Sequence, residues 1–424
     1  MNAFKKHIAL SEYPKLASYL IKWLGMALGA GILVGSASAL LLVSLFWATD
    51  TREAHQEIIW LLPIGGLLIG LLYHYWGKDV VKGNNQLLEE LHSPKDIIPF
   101  KMAPLIYLGT VITHLFGGSA GREGTAVQMG GALVDQLSKY LKFSQNDRRI
   151  LMVMGISAGF ASVFGTPLAG AVFALEVLVI GRMRYDAILP SFLAAVVADA
   201  TCTAWGVPHT EYHIDLVPEM SLLGFFIAVL SGIVFGGIST VFSKGIHGFQ
   251  TLAAKINYPP LRPFVGGLFI AIAVYFMGTT KYIGLGIPTL VEAFQNPLPS
   301  YDFAIKILLT TFTIGVGFKG GEVTPLFFIG ATLGNALALF LPLPMALLAG
   351  MGFVAVFSGA TNTPIACTLM GIELFGMEAG VFIALACVTA YLFSGSSGIY
   401  TAQIIGSAKS DSLKNTEGKA LHEV

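Results

Sequence analysis

A stretch of fifty residues without one charged side chain, 323–372, is the feature that most constrains this chain. A transmembrane helix needs about 20 predominantly apolar residues, so the stretch is too long for one span and too apolar for a water-exposed surface. The rest of the chain is similar, since only 12% of its 424 residues are charged, against about 25% in soluble domains. The sequence therefore predicts an all-α, polytopic integral membrane protein and argues against soluble enzymes and disordered chains.

Charge balance and motif content exclude several function classes. The 25 basic residues are matched by 25 acidic ones, so we expect no nucleic-acid partner. The three cysteines lie far apart in apolar stretches, which argues against a disulfide framework or a metal site. The sequence has no Walker loop and no HExxH, so we expect no cofactor and no ATP-driven pumping.

The N-terminal segment, residues 1–22, is predicted to lie in the cytoplasm. It carries four lysines ahead of the first apolar run: Lys5, Lys6, Lys15 and Lys22. Basic residues that flank a first span favour the cytoplasmic side. We therefore expect a multi-pass protein of the cell membrane with its N-terminus inside.

Several uncharged runs that follow have the length of a membrane span. The clearest are Trp23–Thr49, Ile58–Gly77, Met102–Gly121, Ile150–Leu175 and Ser221–Ser243. Prolines and many glycines interrupt the apolar sequence, and broken helices at membrane depth persist only where they line a cavity or are buried in protein. We therefore expect broken helices that form a transport site.

Two motifs recur in the same order in the two halves of the chain. TPLAGAVFALE (166–176) matches TPIACTLMGIE (363–373), and REGTAVQMGGAL (122–133) matches GEVTPLFFIGAT (321–332). Two matches at nearly equal separation indicate an internal duplication. We predict a first transmembrane repeat over 23–210, a second over 215–408 and a short polar tail over 409–424. Whether the repeats are inverted depends on the number of crossings in each, which these patterns leave open.

Glu123 is the strongest candidate among the ionisable residues at membrane depth, which are functional candidates by default. The set comprises His114, Arg122, Glu123, Glu176, Lys319, Glu322 and Glu373. Glu123 lies between glycines and is predicted to begin a short helix, whose N-terminus attracts anions. A carboxylate there can occupy an anion site and compete with the transported ion, and protonation would free the site. An acidic helix cap is the alternative.

Three other segments offer hydrogen-bond donors to an anion. Thr324 precedes Pro325 in GGEVTP, which is typical of a helix start, and would supply a second anion-facing helix end. Asn84 and Asn85 could bind an anion or be ordinary turn residues. The Tyr400 hydroxyl could donate to an anion or lie at the membrane interface.

Other polar residues have a simpler interpretation. Glu176 and Glu373 end the repeated segments and are predicted to be helix-end carboxylates near the interface. His114 is predicted to be a hydrogen-bonded core residue. GGSAG (117–121) matches a nucleophile elbow, but the flanking hydrophobic span does not fit that motif. A remote alternative is an intramembrane serine protease, in which Ser119 would pair with His114 at a separation that is poor for a shared helix face.

Four motifs in order resemble the CLC family of anion channels and proton-coupled antiporters. GREGTAVQ resembles the family's G-[KR]-E-G-P segment and puts Glu123 in the place of the gating glutamate. GTPLAGAVFALE resembles the segment that follows, and GGEVTP the second-half G-x-F-x-P segment. GIYTAQ resembles the segment of the anion-coordinating tyrosine and puts it at Tyr400. The match extends from about Gly83 to Ile405, so the CLC fold of two inverted-topology repeats is expected.

Departures from the family pattern point to one subclass. Chloride-handling members have a serine where this chain has Asn84, and many have an internal glutamate where it has Val177. Thr125 replaces the proline of the first motif, and Val323 replaces the phenylalanine of the second. This set resembles the CLC-F subclass, which exchanges fluoride for protons. Fluoride is tightly hydrated, so amide and hydroxyl donors at its site suit its removal from water.

The resemblance implies a homodimer in the lipid bilayer that exports fluoride against protons, with Glu123 as gate and proton acceptor. The implied anion-binding residues are Asn84, Asn85, Gly121, Arg122, Gly124, Thr125, Val323, Thr324 and Tyr400. A CLC-type chloride/proton antiporter and a passive anion channel are the alternatives, since they share this scaffold.

Overall fold

Almost all regular structure in this chain is helical. The computed structural model describes residues 13–141 and 143–424. The helices are α1 Tyr13–Ala54, α2 Leu62–Tyr75, α3 Asn84–His92, α4 Met102–Leu115, α5 Glu123–Asp135, α6 Gln145–Phe164, α7 Pro167–Glu176, α8 Ile188–Ala204, α9 Leu222–Ala253, α10 Leu261–Met277, α11 Ile287–Glu292, α12 Asp302–Gly315, α13 Val323–Leu337, α14 Met345–Thr361, α15 Pro364–Phe375 and α16 Gly380–Phe393. Two short strands, β1 Val179–Ile180 and β2 Ile404–Ile405, pair in parallel. The predicted all-α class is confirmed.

The helices fall into two series with matching bounds. Each of α1–α8 has a counterpart about 200 residues later in α9–α16. For example, α5 begins at Glu123 and α13 at Val323, while α6 begins at Gln145 and α14 at Met345. The correspondence supports the predicted duplication, while the division at 23–210 and 215–408 remains a prediction. Because α1 is already helical at Tyr13, regular structure begins inside the segment assigned to 1–22.

Two of the runs of span length are not single spans. Run 102–121 is helical only to Leu115 and then continues without helix to the start of α5. Run 150–175 is divided between α6 and α7, because Gly165 takes a left-handed conformation with φ +71° and Pro167 begins a new helix. Four helical segments of the described residues are long and apolar enough to cross a membrane: Tyr13–Ala54, Gln56–Tyr75, Tyr185–Ala204 and Leu222–Ala253.

Glycines let the central helices approach one another closely. A Cβ at Gly130 of α5 would lie 2.2 Å from the carbonyl oxygen of Gly155 in α6. The same contact recurs in the second series, where a Cβ at Gly330 would lie 2.0 Å from the carbonyl oxygen of Gly352. Small residues at helix contacts bring backbones together in membrane proteins. Both α5 and α13 are therefore buried in protein almost throughout.

The two repeated TP…E helices cap each other. The Glu176 carboxylate at the end of α7 accepts hydrogen bonds from the amides of Ile365 and Ala366, at 3.1 and 2.8 Å. The Glu373 carboxylate accepts from the amides of Leu168 and Ala169, at 2.9 and 2.8 Å. Both are helix-end carboxylates as predicted, and each satisfies the free N–H groups at the other helix's N-terminus.

Candidate functional site

The two glycine-rich motifs of the repeats are hydrogen-bonded directly to each other. The amide of Gly121 donates to the carbonyl of Gly321 at 2.6 Å, and the amide of Gly321 donates back to Gly121 at 2.7 Å. A Cβ at Gly321 would lie 2.7 Å from the Gly124 nitrogen, so the chains approach this closely only because these residues lack side chains. The exchange brings the N-termini of α5 and α13 together in the middle of the protein.

The fully buried Glu123 carboxylate bridges these two helix ends. Its Oε2 accepts hydrogen bonds from the Thr324 amide at 3.0 Å and from the Arg122 amide at 3.2 Å. Its Oε1 accepts from the Thr324 hydroxyl at 2.5 Å. Glu123 begins α5, yet most of its donors come from the start of α13. The carboxylate thus occupies helix-end donors of the kind that bind anions.

Neighbouring residues of the first motif have different roles. The Nε of Arg122 lies 3.4 Å from Oε1 of Glu123, which adds a positive charge next to the carboxylate. The Thr125 hydroxyl pairs with that of Thr110 at 2.7 Å and so ties α5 to α4. Arg122 therefore lies beside the Glu123 carboxylate, whereas Thr125 has a packing role. Val323, the first residue of α13, is buried.

An open vestibule leads to Glu123 from one side. This cavity of about 490 Å³ is lined by Arg122 and Thr210, together with Arg52, Lys281 and acidic residues at the end of α1. Arg122 and Thr210 also line a small cavity of about 10 Å³ that reaches Glu123. The basic residues of the vestibule are largely offset by neighbouring carboxylates.

A second small cavity, the inner cavity, is lined by two of the predicted anion-binding residues. Asn84 and Tyr400 line it together with apolar side chains that include Val177. Its volume of about 10 Å³ suits roughly one water-sized particle. The Oδ1 of Asn84 is buried without a hydrogen-bond partner, and a Cβ at Gly124 would lie 3.1 Å from its Nδ2. Asn84 therefore joins the inner cavity to the N-terminus of α5.

Asn85 is not among the residues lining this cavity. Its Oδ1 accepts a hydrogen bond from the Ala402 amide at 3.0 Å, so it anchors the segment that carries Tyr400. Gln403, which the sequence patterns did not single out, also holds the segment of Tyr400 in place. Its fully buried amide donates to the carbonyls of Val177 and Thr361, both at 2.8 Å. No local pattern marks Gln403, because its partners lie on helices distant in sequence.

A second carboxylate, Glu322, lies next to the site. Glu322 precedes α13, and its Oε2 is buried without a hydrogen-bond partner. A Cβ at Gly124 would lie 3.3 Å from that oxygen. Two acidic residues therefore converge on the start of α5, although the glycine pattern pointed most strongly to Glu123.

Ser119 and His114 do not pair. The Ser119 hydroxyl contacts the Tyr282 carbonyl at 3.0 Å and the Thr310 hydroxyl at 2.8 Å. The ring nitrogens of His114 contact the carbonyls of Thr110 and Ala120. His114 is thus the hydrogen-bonded core residue that was predicted, and no Ser–His pair is formed here.

Comparisons with known proteins show the family and the fold of this chain. The family described as voltage gated chloride channel matches residues 65–395. A chloride/fluoride channel protein of Pseudomonas syringae pv. tomato is 54% identical, and the alignment covers 94% of this chain and 90% of that protein. The crystal structure of a CLC-type fluoride/proton antiporter superposes with a TM-score of 0.88 at 34% identity and covers 91% of this chain and 98% of its own. A slow cyanobacterial Cl⁻/H⁺ antiporter shares the fold, with a TM-score of 0.77 at 20% identity over 89% of this chain and 96% of its own.

Proposed function

This chain belongs to the CLC family of chloride and fluoride transporters, and on that premise we propose that it exports fluoride from the cell in exchange for protons. The observation that carries the proposal is the position of Glu123. Its carboxylate takes the amide and the hydroxyl of Thr324 at the N-terminus of α13. The same two donors can hydrogen-bond to a small anion, so the carboxylate and the ion compete for one binding site.

The exchange cycle follows from that competition. When Glu123 is ionised, it holds the donors and blocks the route between the vestibule and the inner cavity. When a proton neutralises it, its attraction to the helix end and to Arg122 weakens, and fluoride takes the donors. Departure of fluoride lets the carboxylate return and release its proton. One group thus couples the two ions.

Two features favour fluoride over chloride: the side-chain hydrogen-bond donors of the site, and an apolar residue at position 177. The Asn84 amide and the Tyr400 hydroxyl line the inner cavity, and the Thr324 hydroxyl supplies a third side-chain donor. Strong donors offset the loss of hydration of a small anion better than that of a large one. At Val177, where many chloride/proton antiporters carry an acid, this chain has an apolar side chain, so Glu123 carries the proton to both sides.

The charge pattern supports a cytoplasmic N-terminus and inverted repeats in a cell membrane. Lysines precede and begin α1, whereas the segment before α9 carries Glu211, Asp215 and Glu219 and no lysine or arginine. By the positive-inside rule the two corresponding helices begin on opposite sides of the membrane. On the family resemblance, the protein is a homodimer with one pathway per subunit.

Ion flux in proteoliposomes tests the proposal. Vesicles of purified protein loaded with fluoride are diluted into fluoride-free buffer, with fluoride and pH electrodes outside. The expected result is fluoride efflux with stoichiometric proton uptake, and faster efflux when the outside is more acidic. Fluoride release without proton movement would support the passive channel instead. Equal rates with chloride loading would favour the chloride/proton antiporter.

A further inference from the structure

We infer that the cleft between the C-terminal end of α2 and the N-terminal end of α10 is a binding site for the phosphate headgroup of an anionic phospholipid. The cleft has a volume of about 440 Å³. Lys78, Arg262 and Lys319 line it, together with Tyr73 and His74. It lies outside the transport route, since none of its lining residues lines the vestibule or the inner cavity.

Lys78 and Arg262 have no acidic partner among the described residues, and Lys319 has only the nearby buried Glu322. None of the ion pairs formed by the described residues includes Lys78, Arg262 or Lys319. The lining itself contains no carboxylate. The Nζ of Lys319, at the floor of the cleft, lies 4.1 Å from the centre of the Tyr73 ring. A lining with three cations and no carboxylate favours an external anion with several oxygens.

Arg262 also shows how the cleft is held in shape. Its Nε donates to the carbonyl of Ile256 at 3.0 Å, after the end of α9. Its Nη2 donates to the carbonyl of Ala254 at 3.4 Å, so both contacts hold the guanidinium at the start of α10, while the Nη1 group makes no hydrogen bond with the described residues. Lys78 follows α2 and makes no hydrogen bond with the described residues, so its ammonium is free to reach a ligand.

The surroundings of the cleft favour a lipid over a free phosphate ion. Exposed Tyr75, Trp76 and Tyr258 lie within two positions in the chain of the lining residues His74 and Pro259, and aromatic side chains of this kind lie at the headgroup level of membranes. His74 packs edge-on against both tyrosines, at ring distances of 5.0 and 5.4 Å. The outer faces of α2 and α10 beside it expose apolar side chains, namely Ile64, Leu68, Leu261 and Leu268. A headgroup in the cleft would place its acyl chains along these faces.

The position in the membrane agrees with this occupant. The segment after α2 carries Lys78, Lys82, Lys95 and Lys101, which by charge is the cytoplasmic side. Anionic lipids give the cytoplasmic leaflet its negative surface potential, and basic clefts between helices on this side hold their headgroups. A zwitterionic lipid would bring its own cation close to the three basic residues and bind less well.

The test compares three probes on the purified full-length protein in a neutral detergent. Phosphatidylglycerol, phosphatidylcholine and inorganic phosphate are titrated separately, and binding is followed by the shift in thermal unfolding and by native mass spectrometry. The expected result is binding of phosphatidylglycerol alone. Lys78→Gln should weaken it about fivefold, the factor that corresponds to ~1 kcal/mol for one basic residue at a membrane surface.

Matched variants separate charge from folding. Arg262→Gln should weaken binding by a similar factor, while Arg262→Lys, which keeps the charge, should recover most of it. Lys255→Gln removes an exposed lysine outside the cleft and should bind as the wild type does. Wild-type binding in both Lys78→Gln and Arg262→Gln would overturn the site. Equal binding of phosphatidylcholine, or inorganic phosphate binding that Lys78→Gln abolishes, would overturn the anionic lipid as its occupant.

Discussion

The Glu123 carboxylate takes both donors of Thr324, a residue 201 positions later in the chain. The Thr324 amide donates at 3.0 Å and its hydroxyl at 2.5 Å. A residue from the first repeat thus occupies the helix end of the second. In the proposed cycle the carboxylate and fluoride would therefore compete for donors that lie on the other repeat.

Replacing Glu123 by Gln should abolish fluoride-driven proton movement. An amide neither takes up nor releases a proton, so proton uptake measured with a pH electrode should fall to the rate of protein-free liposomes. Glu57→Gln, which alters an exposed carboxylate beside His55, is the control and should exchange normally. Proton movement at the wild-type rate in Glu123→Gln would mean that another group is the gate.

Thr324→Val should slow fluoride exchange by about ten- to a hundredfold. The change removes a hydroxyl that donates to a charged group, a hydrogen bond of about 1.5–3 kcal/mol. Thr324→Ser keeps the hydroxyl and should retain most of the rate. The measurement is initial fluoride efflux at low fluoride concentration. Equal rates for valine and serine would show that the hydroxyl does not contact the anion.

Asn84→Ser should lower the preference for fluoride over chloride about fivefold, since one hydrogen bond is worth about 1 kcal/mol. The measurement is the ratio of fluoride to chloride efflux from the same vesicles. Asn85→Ala offers the comparison: it loses the contact to Ala402, so it should slow both ions alike. An unchanged ratio in Asn84→Ser would remove Asn84 from the anion site.

Gly121→Ala should reduce both transport and stability. The new methyl group would lie 2.9 Å from Cδ of Pro325 and 3.0 Å from the carbonyl oxygen of Gly321, and such overpacking costs about 1–3 kcal/mol. Gly25→Ala is the matched control, since nothing lies within 4 Å of its added Cβ. Thermal unfolding and fluoride efflux are measured on both proteins. Wild-type behaviour of Gly121→Ala would contradict the close approach of the repeats.

Glu176→Gln and Glu373→Gln should each destabilise the protein by about 1 kcal/mol, because each removes the charge that caps the other's helix. In a chain of this size the thermal midpoint falls by roughly 2 °C. Glu378→Gln, at an exposed position nearby, should leave it unchanged. The two effects should add, since the caps are separate. An unchanged midpoint in both variants would deny these carboxylates a capping role.

Much of the fold and the core of the site could be predicted from local sequence. Low charge placed the chain in a membrane, and glycine and proline placed the breaks between helices. The start of α5 at Glu123 and the partner motif around Thr324 followed from helix-end patterns. Spans such as 102–121 were wrong because apolar composition does not distinguish a helix from buried non-helical chain. Asn84 and Asn85 could not be separated, since the two adjacent residues are of the same type and their side chains point only about 100° apart on α3.

The sequence by itself determined that this chain spans a membrane with duplicated, broken helices and that Glu123 begins one of them. Those features depend on hydrophobicity, backbone freedom and helix capping, which act over a few residues. The tertiary structure alone decided that Glu123 bonds to Thr324, that Glu176 and Glu373 cap each other's helices, and that Gln403 fixes the segment of Tyr400. Each of these contacts joins residues roughly 40 to 230 positions apart. Apart from Gln403 with Thr361, which both belong to the second repeat, such pairs meet only when the two repeats pack together, because buried N–H groups and carboxylates without water must find partners in the protein.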